Sequence, residues 1–101
     1  MGVRHLKVEF CGGAEVLFGK KKTHQLEIPT NDSFILSDLL TFIKENLIED
    51  KDRTNLLIEK DTVRPGILVL VNDVDWELLG GLKTELSDGD MVTFISTLHG
   101  G

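Results

Sequence analysis

One long amphipathic helix is the feature that most constrains the fold of this 101-residue chain. Charged residues such as Lys44 and Glu45 lie off its apolar stripe, so one face of the helix is expected to be buried. The preceding segment TNDS, at 30–33, is rich in helix-capping residues, and EDKDR, at 49–53, is expected to end the helix. The rest of the core must then come from strands. The stripe consists of Leu36, Leu39, Leu40, Ile43 and Leu47.

An N-terminal hairpin is predicted ahead of this helix. The segment VRHLKVEF, at 3–10, alternates in the manner of a strand, with an apolar side that includes Leu6, Val8 and Phe10. Gly12 and Gly13 can adopt the positive φ that a tight turn requires. A second strand is expected to follow and to stop at Pro29.

Two strands are predicted after the helix. In the run ILVLV, at 67–71, apolar side chains do not alternate with polar ones. Each face of this strand is therefore expected to be either buried or able to bind another surface. The segment LSDGD, at 86–90, predicts a turn with Gly89 at positive φ, and MVTFIST is the last strand. Val92 and Phe94 are expected to face the helix. These elements predict a single α+β domain with one helix on one face of a sheet.

Charge and cysteine content narrow the classes of function. The net charge is −6, which argues against direct nucleic-acid binding because phosphate contacts need clustered basic residues. The basic run GKKKTH, at 19–24, is expected to be a solvated turn. The longest apolar run is far shorter than the roughly 20 residues of a membrane span, so no membrane contact is expected. Cys11 is the only cysteine, which excludes an internal disulfide and favours a reducing, intracellular compartment.

No metal or nucleotide site is predicted. His5, His24 and Cys11 lack the spacing of zinc ligands, and no glycine-rich phosphate loop precedes a helix. The charges nearest Cys11 are acidic and disfavour a thiolate, so a passive thiol is expected. Trp76 is expected to serve packing rather than recognition.

The sequence ends in STLHGG, and Gly100 and Gly101 need an explanation. A carboxylate is a poor electrophile and reacts with sulfur or an amine only after activation, for example as an acyl adenylate. The activating enzyme must close around the terminus and exclude water. Two residues without Cβ atoms can thread a narrow channel. A frayed terminus is the alternative that the two residues alone leave open.

Four segments together resemble the ubiquitin-related modifiers, the eukaryotic sulfur-carrier members of the ubiquitin-like proteins. They are VEFCGGAEVLF at 8–18, LLTFIKENL at 39–47, VRPGILVLVNDVDWELLG at 63–80 and TFISTLHGG at 93–101. The family pattern leads us to expect glycine where this chain has Cys11. The resemblance implies a β-grasp fold, in which a mixed sheet packs on one main helix. It also implies a single domain over residues 1–101, with 97–101 as a flexible C-terminal tail.

The resemblance further implies a carrier that supplies no catalytic residue, cofactor or metal of its own. An E1-like activating enzyme with a rhodanese domain adenylates Gly101, using ATP, and a persulfide then provides the sulfur of a thiocarboxylate. That sulfur serves 2-thiolation of wobble uridine in cytosolic tRNA by a thiolation complex. Lysines of target proteins are a second destination of the activated terminus. The expected protein is a cytoplasmic monomer, with the nucleus as the other possible location.

The recognition surfaces follow from these roles. Leu98, His99 and Gly100 are expected to be read by the activating enzyme together with Gly101. Residues of the last strands that face away from the helix are expected to form an apolar partner patch. That patch comprises Leu68, Leu70, Met91 and Ile95.

Two other functions stay open on the sequence. One is the small sulfur-carrier subunit of a molybdopterin synthase, which shares the diglycine. The other is a passive ubiquitin-like interaction module whose tail is never activated. The LHGG ending and the RPGILVLVND block, at 64–73, favour the carrier for tRNA thiolation.

Overall fold

The computed structural model describes residues 2–29 and 32–96. Five strands form the main sheet, and one helix followed by a π-helical turn packs on it. The strands and the helix are β1 (Arg4–Cys11), β2 (Thr23–Ile28), α1 (Leu36–Phe42), β3 (Ile58–Glu59), β4 (Thr62–Val63), β5 (Ile67–Val71), β6 (Val74–Asp75) and β7 (Met91–Ser96). The π-helical turn is Ile43–Leu47, and 3₁₀ helices lie at Ala14–Phe18, Lys51–Leu56, Trp76–Leu78 and Gly81–Lys83.

The main sheet has the strand order β2-β1-β7-β5-β6. β1 pairs with β7 in parallel, whereas the other neighbours are antiparallel. The first and last strands therefore lie side by side at the centre of the sheet. This mixed sheet with one main helix confirms the predicted α+β architecture. Strands β3 and β4 form a separate two-stranded sheet.

The core lies between α1 and one face of the sheet. Alternate residues of the central strands are buried there, including Phe10, Val69, Val92 and Phe94. The helix contributes the predicted stripe, of which Leu36, Leu39, Leu40 and Ile43 are buried and Leu47 is half-buried. The apolar side chains on one face of the strands and those on one face of the helix thus form a single layer, as the periods of 2 and 3.6 residues require.

The turn after β1 has the predicted backbone, with φ of 69° at Gly12 and 111° at Gly13. The VLF segment that follows belongs to a 3₁₀ helix and not to a strand. Phe18 is buried and stacks on Phe10, with ring centroids 3.8 Å apart. The long connection between β1 and β2 therefore contributes to the core.

The helix begins later than its capping residues predict. Its N-cap is Ile35, whose backbone N–H donates to the Asp38 carboxylate at 3.0 Å. Ser33, which belongs to the predicted capping segment, instead donates its hydroxyl to Glu85 at 3.2 Å and is not the N-cap residue. Thr30 and Asn31 lie outside the described residues. In the described part of the chain, no helix is long and apolar enough to cross a membrane.

Candidate functional site

The four side chains of the predicted partner patch share the sheet face opposite α1. In β5, Ile67, Val69 and Val71 are buried in the core, so Leu68 and Leu70 point away from the helix. In β7 the same alternation places Met91 and Ile95 on the outer face. All four patch residues are half-buried. We call this set of Leu68, Leu70, Met91 and Ile95 the outer-face patch.

Strand register brings the patch together. Leu68 lies directly opposite Ile95, and Leu70 lies opposite Thr93. Met91 is diagonal to Leu70, within the reach of long side chains. Thr93, between them, is only 7% exposed, so the patch is continuous across the two strands. Such a surface offers apolar contact area to a partner.

The strand that leads to the chain terminus is central in the sheet. β7 ends at Ser96, which is paired with Ile67 of β5. The other tail residues in the prediction, Leu98, His99, Gly100 and Gly101, lie outside the described residues. Ile95 and Leu68 therefore occupy the end of the sheet from which the chain continues toward its terminal glycines. Half of the outer-face patch, Leu68 and Ile95, thus lies next to Ser96.

Two residues at this end of the sheet were not predicted as part of the site. Cys11 pairs with Ile95 and is half-buried on the outer face. Gly12 lies so close to Ser96 that a Cβ atom at Gly12 would stand 2.3 Å from the Ser96 carbonyl oxygen. In β1 the even-numbered residues 6, 8 and 10 face the core. The same alternation could have been used to predict that Cys11 lies on the outer face. The contact of Gly12 depends on the parallel pairing of β1 with β7, which no local pattern specifies.

The chemistry available at this surface is that of binding. Apolar side chains fill the middle of the face, and Lys7 and Glu9 flank them on β1, opposite Met91 and Thr93. Among residues 2–29 and 32–96, no group of three or more His, Cys, Asp or Glu side chains could hold a metal ion. The arrangement can orient the domain on a partner that also binds the residues after Ser96.

Comparison with known proteins agrees with the fold and the sequence segments. The Urm1 (Ubiquitin related modifier) family profile matches residues 5–101. Ubiquitin-related modifier 1 of Mus musculus is 55% identical over 97 residues, which is 95% of this chain and 94% of that protein. The solution structure of Urm1 from Trypanosoma brucei is 44% identical, with a TM-score of 0.78, covering 100% of this chain and 99% of that one.

A more distant likeness concerns the fold alone. A chain in the crystal structure of the Amycolatopsis orientalis BexX/CysO complex is 23% identical, with a TM-score of 0.68. It matches 95% of this chain and 99% of its own length.

The mixed sheet, its single main helix and these structural neighbours define a ubiquitin-like protein of the β-grasp fold. Such proteins function as small carriers and modifiers. The chain belongs to the Urm1 family, the ubiquitin-related modifiers, which are ubiquitin-like sulfur carriers and protein modifiers.

Proposed function

We propose that this protein carries sulfur on its C-terminal glycine for 2-thiolation of wobble uridine in cytosolic tRNA, and that it is also attached to lysines of other proteins. The observation that carries the proposal is the family match, which extends through Gly101. That match favours this role over the small subunit of a molybdopterin synthase and over a passive interaction module.

The chemistry takes place at Gly101 and is driven by a partner. The Gly101 carboxylate attacks the α-phosphorus of ATP in an E1-like enzyme, and pyrophosphate leaves. A persulfide on the rhodanese domain then attacks the carbonyl carbon and displaces AMP. A partner thiol cleaves the resulting sulfur–sulfur bond, which leaves a thiocarboxylate on Gly101 and a disulfide on the partner.

In this reaction the folded domain is the part of the carrier that the partner enzyme binds. The outer-face patch supports docking next to the terminus, because Leu68 and Ile95 lie where β7 ends. Leu98 and His99 would be read inside the enzyme, together with Gly100. Since the net charge is −6, the tRNA is expected to be held by the thiolation complex rather than by the carrier. The carrier would act as a monomer in the cytoplasm.

The direct test replaces the terminal glycine. Gly101→Ala puts a methyl group against the reacting carbon, and a displacement of about 1 Å can cost about 100-fold in rate. We expect a loss of that order in ATP–pyrophosphate exchange with the purified activating enzyme. The thermal unfolding curve should not change, because β7 ends at Ser96 and Gly101 follows it in the sequence.

Gly89→Ala is the matched control. It also replaces a glycine by alanine, at a turn position where an added Cβ atom meets nothing within 4 Å but where φ is 90°, so it should lose about 1 kcal/mol of stability while staying folded. We expect this variant to keep the exchange rate of the wild-type protein. Normal exchange by Gly101→Ala would contradict the steric argument for the terminal glycines.

A further inference from the structure

A second apolar surface lies at the other end of the molecule, in the loop after β6. Leu78 is 80% exposed, the highest value among the large apolar side chains of the described residues. Leu79, next to it, is 48% exposed. We call residues 76–81 the leucine loop. A contiguous exposed apolar patch is a feature of protein contact surfaces, and Leu78 and Leu79 are adjacent.

The loop is held in this conformation by its own hydrogen bonds. The Asp75 carboxylate accepts the Glu77 backbone N–H at 2.9 Å. The N–H groups of Leu79 and Gly80 donate to the Trp76 carbonyl at 3.0 and 3.1 Å. The Trp76 ring packs against the core. Because the tryptophan anchors the loop, the two leucines are presented to solvent in a fixed geometry, which lowers the entropic cost of binding.

A cleft of about 480 Å³ adjoins the loop. Val74 and Leu79 form part of its apolar wall, and Glu85, Asp90 and Lys83 contribute charge. The leucines and the cleft together make a surface with a protruding apolar part and a recess beside it. A partner could fill both with one apolar and one polar group.

The chain segment that contains this surface is acidic. Residues 73–90 contain six acidic side chains and one basic side chain, Lys83. That segment therefore carries −5 of the total charge of −6. A complementary partner must present Lys and Arg around an apolar pocket, since oppositely charged rims speed encounter and suppress wrong partners.

The leucine loop and Ser96, the last described residue, lie toward opposite ends of β5, so a partner can contact both at the same time. β6 pairs with Leu70 and Val71, whereas Ser96 pairs with Ile67 at the opposite end of β5. Four residues of strand separate these levels, or about 13 Å. A specific interface buries about 800 Å² on each partner, which exceeds what a few tail residues can provide. An enzyme that holds the terminus needs further contact with the domain.

We propose that the leucine loop docks into an apolar pocket, rimmed by Lys and Arg, on the activating enzyme. This inference rests on the proposed function. The leucine loop anchors one end of the domain on the enzyme, beside Leu70 of the outer-face patch, while Leu68, Ile95 and the terminus engage at the other end. The contact supplies binding energy and takes no part in the chemistry.

The experiment uses the full chain and the purified activating enzyme. In Leu78→Ser/Leu79→Ser we expect KM for adenylation to rise at least ~10-fold, which is about 1.4 kcal/mol of binding free energy, with kcat unchanged. The dissociation constant from calorimetry should rise equally. The control is Val3→Ser/Val16→Ser, which replaces two exposed apolar side chains elsewhere, at 48% and 41% exposure, and should keep the wild-type values. Unfolding curves of both variants should match the wild type.

Charge reversal in the leucine loop tests the proposed contact with Lys and Arg side chains around the pocket of the enzyme. Glu77→Lys should weaken binding, and raising the salt concentration should reduce the difference from wild type. Glu45→Lys, the same change on the helix side, should have no such effect.

The outcomes separate the two proposals. If the enzyme adenylates the wild type and the double-leucine variant with the same KM, the docking inference is overturned and the proposed function stands. If the enzyme binds the wild type more tightly than the variant but adenylates neither, the docking inference stands and the proposed function fails. If the enzyme does not bind the wild type, both are overturned.

Discussion

At the residue scale, Gly12 is required by two separate constraints. Its φ of 69° lies in the left-handed region, which non-glycine residues enter at a cost of about 1 kcal/mol. In addition, the position that a Cβ atom of residue 12 would occupy faces the Ser96 backbone. Such a Cβ atom would lie 2.3 Å from the Ser96 carbonyl oxygen. The two constraints can be separated because Gly81 has a similar φ of 58° and open space around it.

We predict that Gly12→Ala destabilises the protein more than Gly81→Ala. The Gly81 variant should lose about 1 kcal/mol through its backbone conformation alone. The Gly12 variant should lose a further 1–3 kcal/mol or so, because the Ser96 backbone must move. Chemical denaturation measures both losses. Equal losses in the two variants would show that β1 and β7 do not approach as closely as the structure has them.

Asp88 predicts a dependence of stability on pH. Its carboxylate accepts the His5 backbone N–H at 2.6 Å and lies 3.0 Å from His5 Nδ1. The backbone N–H of His5 first, and its side chain second, lower the pKa of Asp88 below the ordinary value of 3.8. A carboxyl group with a lowered pKa stabilises the fold above its unfolded pKa, and this contribution is lost as pH falls through the folded pKa.

Asp88→Asn keeps an acceptor but cannot titrate. The wild type should be more stable than this variant at neutral pH, and the difference should shrink as the pH falls below the ordinary range of an aspartate. Urea unfolding at a series of pH values measures it. Parallel stability curves for the two proteins would contradict the assignment to the His5 contacts.

At the scale of elements, α1 and the π-helical turn after it act as one apolar stripe against the sheet. Periodicity was sufficient to predict this stripe and the first strand, because they follow repeats of 3.6 and 2 residues, whereas β5 was predicted from its unbroken apolar run and β7 from the turn signal before it. Strand β6 was not predicted, since two residues are too few to show a period. The turn before β6 did carry a sequence signal, namely the pair Asn72 and Asp73. These residues have φ of 52° and 68°, as a two-residue hairpin turn requires.

Leu40→Ala should destabilise the protein by about 2–5 kcal/mol, because it removes a buried leucine and leaves a cavity. Leu40 is 3% exposed and belongs to the core cluster. Lys44→Ala, one turn further on an exposed position, is the control and should change stability by no more than about 0.5 kcal/mol. A loss well under 1 kcal/mol in Leu40→Ala would mean that this helix face does not support the core.

At the scale of the whole molecule, the two regions proposed to bind the enzyme lie toward opposite ends of the sheet. One end carries Leu68, Ile95 and the exit of β7, and the other carries the leucine loop in an acidic segment, with the outer-face patch running between them. The strand order that creates this separation could not be predicted, because the parallel pairing of β1 with β7 joins residues such as Lys7 and Met91 that are far apart in sequence. The outer-face patch was predictable from alternation within strands. The exposure of Leu78 was not, because it depends on how Trp76 anchors its loop.

The mass of the C-terminal peptide of the protein, isolated from its own cells, tests the carrier function most directly. We predict that a fraction of the peptide ending in Gly101 carries sulfur in place of one carboxylate oxygen. That fraction should disappear when the activating enzyme is removed. A peptide that always ends in an ordinary carboxylate, with the activating enzyme present and ATP supplied, would contradict the proposal that this protein carries sulfur.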